Sequence, residues 1–260
     1  MTYRIIGDSC TDLPLELKKD PHFRLVPLTL MVGDTQIVDD DTFDQQDFLR
    51  RVKECPQSPK SACPSPENYE KEFDVDGEIY VVTLSSELSG SYNSAELAKK
   101  LYHEKDPDKK IGIVDSHSAS VGQTLIAMKI HELKEKGDSF EKVMEQITEF
   151  RDNMHTKFVL ENLDTLRKNG RLSSIQAIIC SVLDIKLVMG GTSEGTICKL
   201  DQARGIKKAL FSMAKMIEKD VINPQKRILA IAHCNHYERA VFIKDEIMKR
   251  IPFMSFLIVD

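Results

Sequence analysis

The apolar run Ile79-Tyr80-Val81-Val82-Thr83-Leu84 leads straight into Ser85-Ser86-Glu87-Leu88-Ser89-Gly90-Ser91. Nothing else in the chain restricts its folding so strongly. An unbroken β-branched and aromatic run reads as a buried strand. Past the turn, Ala95, Ala98, Leu101 and Tyr102 recur at helical spacing. A strand therefore ends, hydroxyls and a glycine make the turn, and a helix begins. The N–H groups and positive dipole end of that helix favour an anion, and Gly90 lets the backbone come close to it. Serine is also a preferred N-cap, so the same turn reads as capping and nothing more.

The theme recurs. Arg4-Ile5-Ile6-Gly7-Asp8-Ser9 and Lys110-Ile111-Gly112-Ile113-Val114-Asp115-Ser116 are strands that run into polar turns. Asp12 as cap and Pro14 in the first turn predict a helix after the first strand. Leu125, Ile126, Ile130 and Leu133 mark a helix after the third, closed by Gly137. Asp138 and Glu141 have capping-box spacing for the next helix. Alternation of strand and helix up to residue 152 predicts a parallel α/β/α domain whose three serine-rich turns share one rim.

Between these units, Phe23 to Val32 is a single strand candidate, placed by Pro27 at an edge or a strand start. Ser58 to Pro66 carries three prolines, which predict a stiff irregular loop with Ser61 and Ser65 on it. Beyond Asn153 the pattern changes to short strands, an apolar helix over 172–183 and two further helices, as expected of a two-layer mixed-sheet α/β domain. The expected domains are 1–152 and 157–260, with a hinge at 153–156. An all-round apolar helix is usually core, and its alternative role is to line an apolar cavity.

A net charge of −5, the lack of a basic block and the absence of tryptophan argue against nucleic-acid binding. No run approaches the ~20 apolar residues of a membrane helix. The six cysteines lack metal-like or redox-like spacing, so a cytoplasmic protein with reduced thiols is expected. Phosphate-loop, dinucleotide, zinc-protease and nucleophile-elbow motifs are missing. His233 and His236 stand without a second ligand cluster in sequence, and no metal is expected.

Taken in order, several segments resemble the DegV family of bacterial fatty-acid-binding proteins. They are Asp8-Ser9-Cys10-Thr11-Asp12-Leu13-Pro14, Val26-Pro27-Leu28, Ser61-Ala62-Cys63-Pro64-Ser65-Pro66 and Ser85 to Tyr92. Val114-Asp115-Ser116, Leu163 to Arg171, and Lys199 with Arg204 and Lys207-Lys208 complete the set. The resemblance covers nearly the whole chain. It implies a two-domain protein holding one long-chain fatty acid, such as palmitate, in a cleft between its domains. The carboxylate is then bound by Ser61, Ser89 and the N–H of Gly90, with Ser65, Ser91 and Ser116 behind them. The acyl chain is lined by Leu166, Leu172, Ile175, Ile178, Ile179 and Val182. In the family's best-known branch a partner ATP-dependent fatty acid kinase converts the carboxylate to an acyl phosphate for phospholipid metabolism. Arg171 and Arg204 match positions associated with kinase or phosphate contact. The member is a carrier with no catalytic residues or cofactor of its own, and transient contact with a membrane surface is compatible with that role.

Three departures stand out, one of them a segment between Pro66 and Ile79 that is shorter than expected of the family. Ser61-Ala62-Cys63 replaces the usual Thr-Ser-Gln, which keeps one hydroxyl and loses the second. The family's final strand, with the Gly-rich His motif of the carrier branch, has no counterpart before Asp260, as expected of a fragment or of a branch without that motif. Two other classes stay open: a serine-dependent acyl-ester hydrolase using Ser89 or Ser91, and a binding module for another amphipathic or phosphorylated small molecule.

Overall fold

A computed structural model describes residues 2–172 and 184–260. The chain divides into two compact units, Met1–Met154 with Ser193–Thr196, and His155–Thr192 with Ile197–Asp260.

The first unit is built on four parallel strands in the order β2-β1-β6-β7. They are β1 (Tyr3–Asp8), β2 (Phe23–Val26), β6 (Glu78–Thr83) and β7 (Ile111–Asp115). Every residue of β6 is buried, which is why its sequence shows no polar alternation. Strand pleating instead sorts its side chains to two faces. Ile79 and Val81 pack with Tyr69, Phe73, Ala95 and Ala98 of α3 (Pro66–Lys71), α4 (Ser91–His103) and the turn after α3. Tyr80 and Val82 pack with Ile126, Ile130, Val143 and Ile147 of α5 (Val121–Glu135) and α6 (Phe140–Asp152). One strand thus carries two cores, the expected α/β/α arrangement. A short α1 (Leu15–Lys19) joins β1 to β2.

A second sheet in this unit departs from the expectation. The single strand predicted over Phe23–Val32 is two, broken at Pro27-Leu28. Its second half is β3 (Thr29–Val32), which pairs antiparallel with β4 (Thr35–Val38) and β5 (Lys60–Ala62). The proline-rich segment is therefore not irregular throughout, because β5 fits between Pro59 and Pro64. As an edge strand it needs ladder bonds on one side only. α2 (Gln45–Glu54) lies between β4 and β5 in sequence and is capped by the Asp44 carboxylate on the N–H of Asp47.

Two predicted caps are also corrected. α1 begins after Pro14 without a side-chain cap, and the Asp12 carboxylate instead accepts from the Ser120 hydroxyl. α6 is capped by Ser139, on the N–H of Lys142, while Asp138 binds the Lys142 ammonium group.

The second unit holds an antiparallel sheet, β10-β9-β8, and a separate parallel pair, β11-β12. Its strands are β8 (Lys157–Val159), β9 (Ile185–Gly191), β10 (Ile197–Arg204), β11 (Ile228–Ala232) and β12 (Ser255–Val259). Its mixed character comes from two sheets rather than one. Gly190-Gly191 ends β9 instead of making a turn. Arg204 ends β10, and the helix predicted to open there begins at Ile206. α8 (Ile206–Asp220) and α9 (Tyr237–Met248) bury Leu210, Met213, Ile243 and Ile247 with Val188 and Leu229. α7 (Asp164–Lys168) is a short exposed helix. Most of the apolar segment expected over 172–183 lies outside the described residues. Among the described residues no helix is long and apolar enough to cross a membrane.

Candidate functional site

The three polar turns of the first unit follow β1, β6 and β7. These strands are parallel, so the turns meet at one end of the sheet. Backbone groups tie them together. Ser85 N–H donates to the Ser118 carbonyl at 2.9 Å, and the Asp115 carboxylate accepts from the N–H groups of Ser86 and His117 at 3.1 and 3.2 Å. Ser85 Oγ donates to the Gly195 carbonyl at 2.9 Å. Gly195 has φ +87°, and a Cβ there would fall 2.3 Å from Ser85 Oγ, so glycine is required on both counts.

Asp8, at the end of β1, anchors the rim. It is fully buried and accepts from Leu84 N–H (2.8 Å), Ser91 Oγ (2.6 Å), Gln123 Nε2 (2.9 Å) and Cys10 N–H (3.2 Å). Burial pushes its carboxyl above the usual carboxylate range, against the pull of those four bonds. The single Ser91 proton goes to Asp8, so the Tyr69 hydroxyl, 2.6 Å from Ser91 Oγ, donates to Ser91. Burial holds the Tyr69 phenol far above its ordinary value. The result is a directed chain, Tyr69 to Ser91 to Asp8, beneath the first turn of α4.

Above that chain the donors point outward. Gly90 is the N-cap of α4, at φ −73° and exposed to solvent. It thus needs no left-handed freedom, and its missing side chain matters for access. Among the described residues nothing accepts from its N–H. Ser89 is half-buried, and its Oγ accepts from Ser91 N–H at 3.2 Å, which leaves the hydroxyl proton for another acceptor. The proline-rich loop reaches the same place. Cys63 Sγ lies 3.1 Å from where a Gly90 Cβ would stand, and Ser94 Oγ donates to the Pro64 carbonyl at 2.6 Å. Two residues before Cys63, Ser61 is exposed in the middle of β5.

The three residues expected behind the site divide by role. Ser91 is buried and engaged with Asp8. Ser116 is buried within its own turn, where it donates to the Ser118 carbonyl. Ser65 caps α3 through the N–H of Asn68. Leu172 is fully buried and Leu166 half-buried, whereas Ile175, Ile178, Ile179 and Val182 lie outside the described residues. Arg171 turns back onto the Asn169 carbonyl at 2.6 Å, and Arg204 is exposed at the end of β10. Sequence reasoning missed Asp8, Tyr69 and Gln123 as the frame of the rim. Asp8 carries a signal, as a carboxylate at the carboxyl end of a buried strand.

The profile of the DegV family matches residues 2–259. A DegV domain-containing protein of Streptococcus pneumoniae is 40% identical over 213 residues, covering 81% of this chain and 75% of that protein. A DegV family protein from Ruminococcus gnavus, whose crystal structure was refined with vaccenic acid, aligns with TM-score 0.96 at 48% identity, over 100% of this chain and 93% of that one. The Streptococcus pneumoniae Fatty Acid Kinase (Fak) B3 protein, loaded with linoleic acid, aligns with TM-score 0.90 at 34% identity, over 100% and 92%. A DegV family protein from Eubacterium eligens loaded with heptadecanoic acid gives 0.89 at 27% identity, over 99% and 93%. With a profile match across almost its full length, the chain belongs to the DegV family.

Proposed function

We propose that this chain binds one long-chain fatty acid and carries it to a partner, without performing chemistry on it. The observation that carries the proposal is the exposed N-terminus of α4, where the Gly90 N–H and the Ser89 hydroxyl have capacity for an acceptor. Its support is the likeness to proteins loaded with linoleic and heptadecanoic acids. In this reading Ser61, Ser89 and Gly90 hold the carboxylate. Leu166 and Leu172, with Ile175, Ile178, Ile179 and Val182, contact the acyl chain.

The energetics are compatible. Burying an acyl chain gains ~0.8 kcal/mol per methylene, a gross ~12 kcal/mol for about fifteen. Ordering the chain and losing association entropy offset much of this. A carboxylate cannot be buried bare, and each charge-assisted bond to it contributes roughly 1.5–3 kcal/mol. Hydroxyl and N–H donors supply those bonds without an ion pair, which suits onward transfer of the head group. Among the described residues no histidine hydrogen-bonds to Ser89 or Ser91, which favours holding a carboxylate over attacking an ester. The partner suggested by the similar kinase-associated protein is an ATP-dependent fatty acid kinase, with Arg171 and Arg204 as candidate contacts.

The test is extraction of the purified, denatured protein with organic solvent, followed by mass spectrometry, beside Ser61→Ala and Ser89→Ala variants. A stoichiometric fatty acid in the wild type and less in the variants is expected. A clean extract, with no thermal shift on adding palmitate or oleate, would overturn the reading.

A further inference from the structure

The amino end of the parallel sheet gathers a group of side chains that fatty-acid binding does not use. After α1 the chain turns through Asp20-Pro21-His22-Phe23 into β2, with Phe23 N–H donating to the Asp20 carbonyl at 3.1 Å. The Asp20 carboxylate accepts from the His22 backbone N–H at 2.8 Å and meets His22 Nδ1 at 2.8 Å. A third residue, His131, arrives from the last part of α5. The Asp20, His22 and His131 side chains each offer one ligand atom, and these atoms lie within 4.8 Å of one another.

The surroundings orient both imidazoles. Tyr3 stacks on His22 with centroids 4.3 Å apart and planes 19° apart, and Phe23 lies 5.4 Å from the His131 ring. The Tyr3 hydroxyl is 2.7 Å from His131 Nδ1 and 2.9 Å from Glu135 Oε1. An ionised carboxylate only accepts, so the tyrosine proton goes to Glu135 and the tyrosine oxygen accepts from His131. The His131 proton is thereby placed on Nδ1, and the Nε2 lone pair is left for a ligand. Metal-ligating histidines commonly donate their other ring N–H to an oxygen acceptor, the part the Tyr3 hydroxyl takes for His131.

We propose that Asp20, His22 and His131 bind one divalent transition-metal ion of the zinc class. Two imidazole nitrogens and one carboxylate oxygen suit that class, whereas magnesium and calcium prefer all-oxygen shells. Tetrahedral donors at zinc distances stand about 3.3 Å apart, so the three must adjust by rotation of side chains, with the Asp20–His22 contact opening from 2.8 Å. His22 and Asp20 have the room, with 34% and 26% of their side chains exposed. Three protein ligands leave a fourth position for water. The site stands at the opposite end of the sheet from the serine rim, so its occupancy and fatty-acid binding are measured independently.

The test uses the full chain, stripped with EDTA and titrated with Zn²⁺ against a chromogenic chelator in excess Mg²⁺. The wild type is expected to take up one more equivalent than the His22→Gln/His131→Gln double variant, and Zn²⁺ is expected to raise the thermal midpoint of the wild type alone. Tyr3→Phe keeps the ring and removes the His131 acceptor, so it weakens that equivalent about 10–100-fold. Asp20→Asn, at a turn on the surface, serves where the double variant fails to fold and must also weaken binding at least tenfold. Equal zinc uptake by wild type and either ligand variant would overturn the proposal, as would no uptake by the wild type.

Discussion

The two ends of the first unit's parallel sheet use polar groups in opposite ways. At the amino end, charges meet one another. Lys134 Nζ lies 2.6 Å from Glu78 Oε2 with both side chains buried, and the Tyr80 hydroxyl donates to Glu78 at 2.7 Å. At the carboxyl end, the buried carboxylate of Asp8 has no cation beside it among the described residues and is held there by neutral donors. The first arrangement closes on itself. The second organises a frame on which the first turn of α4 stands, with Gly90 and Ser89 presented outward. A helix start offers donors to a ligand only if something beneath it consumes the inward-facing polar groups, and Asp8 does that.

The largest effect should come from breaking the closed end. Lys134→Met leaves Glu78 buried and unpaired, and removing one partner of a buried pair costs about 3–5 kcal/mol. Urea unfolding should show this as a lower midpoint at unchanged slope, with fatty-acid affinity intact in the folded fraction.

Next is the frame of the open end. Asp8→Ala strands Leu84 N–H, at about 1–3 kcal/mol for a group left unsatisfied, while Ser91 keeps its bond from Tyr69 and Gln123 its bond to Thr11. Unlike Lys134→Met, this variant should lose stability and fatty-acid affinity together. The same carboxyl supplies a pH signature. Its folded value lies above its unfolded one, so the folded state binds the extra proton. The contribution is fully present below the unfolded value and is lost as pH rises through the raised folded value. Thermal midpoints of wild type relative to Asp8→Asn should therefore fall across that window as pH rises. A difference that grows with pH would contradict the assigned burial cost.

Outward groups should affect the ligand and spare the fold. Ser89→Ala and Ser61→Ala should each weaken fatty-acid binding by about 10-fold or more, the equivalent of one charge-assisted bond, with thermal midpoints of the ligand-free protein nearly unchanged. The smallest effect is expected from Tyr69→Phe, which removes the first link of the Tyr69–Ser91–Asp8 chain at about 1 kcal/mol and keeps the packing of the ring. Equilibrium unfolding with and without ligand separates these two classes.

How much of this could be read from the chain depended on range. The strand–turn–helix alternation is local, and β6 announces itself through six buried residues in a row. The serine-rich turns were legible for the same reason, and parallel strands then put them on one rim. The frame was not legible, because Ser91 and Gln123 reach an aspartate 83 and 115 positions away. β5 was hidden by its flanking prolines, which an edge strand tolerates and a central strand does not. The cap at Ser139 was missed by one position because Asp138 has the same chemistry and is drawn instead to Lys142 and Gln146. His22 and His131, whose ring centroids lie 5.6 Å apart, come from opposite ends of the first unit's sequence, and no local spacing could reveal their meeting.

The carboxylate's position is the point on which the functional reading turns, and carbon-13 NMR of carboxyl-labelled palmitate reports it. The wild type should show one bound carboxyl resonance at one equivalent, shifted in both Ser61→Ala and Ser89→Ala while the unlabelled acyl chain still competes normally. A bound resonance identical in the wild type and both variants would place the head group elsewhere and contradict the assignment of the α4 N-terminus as its site.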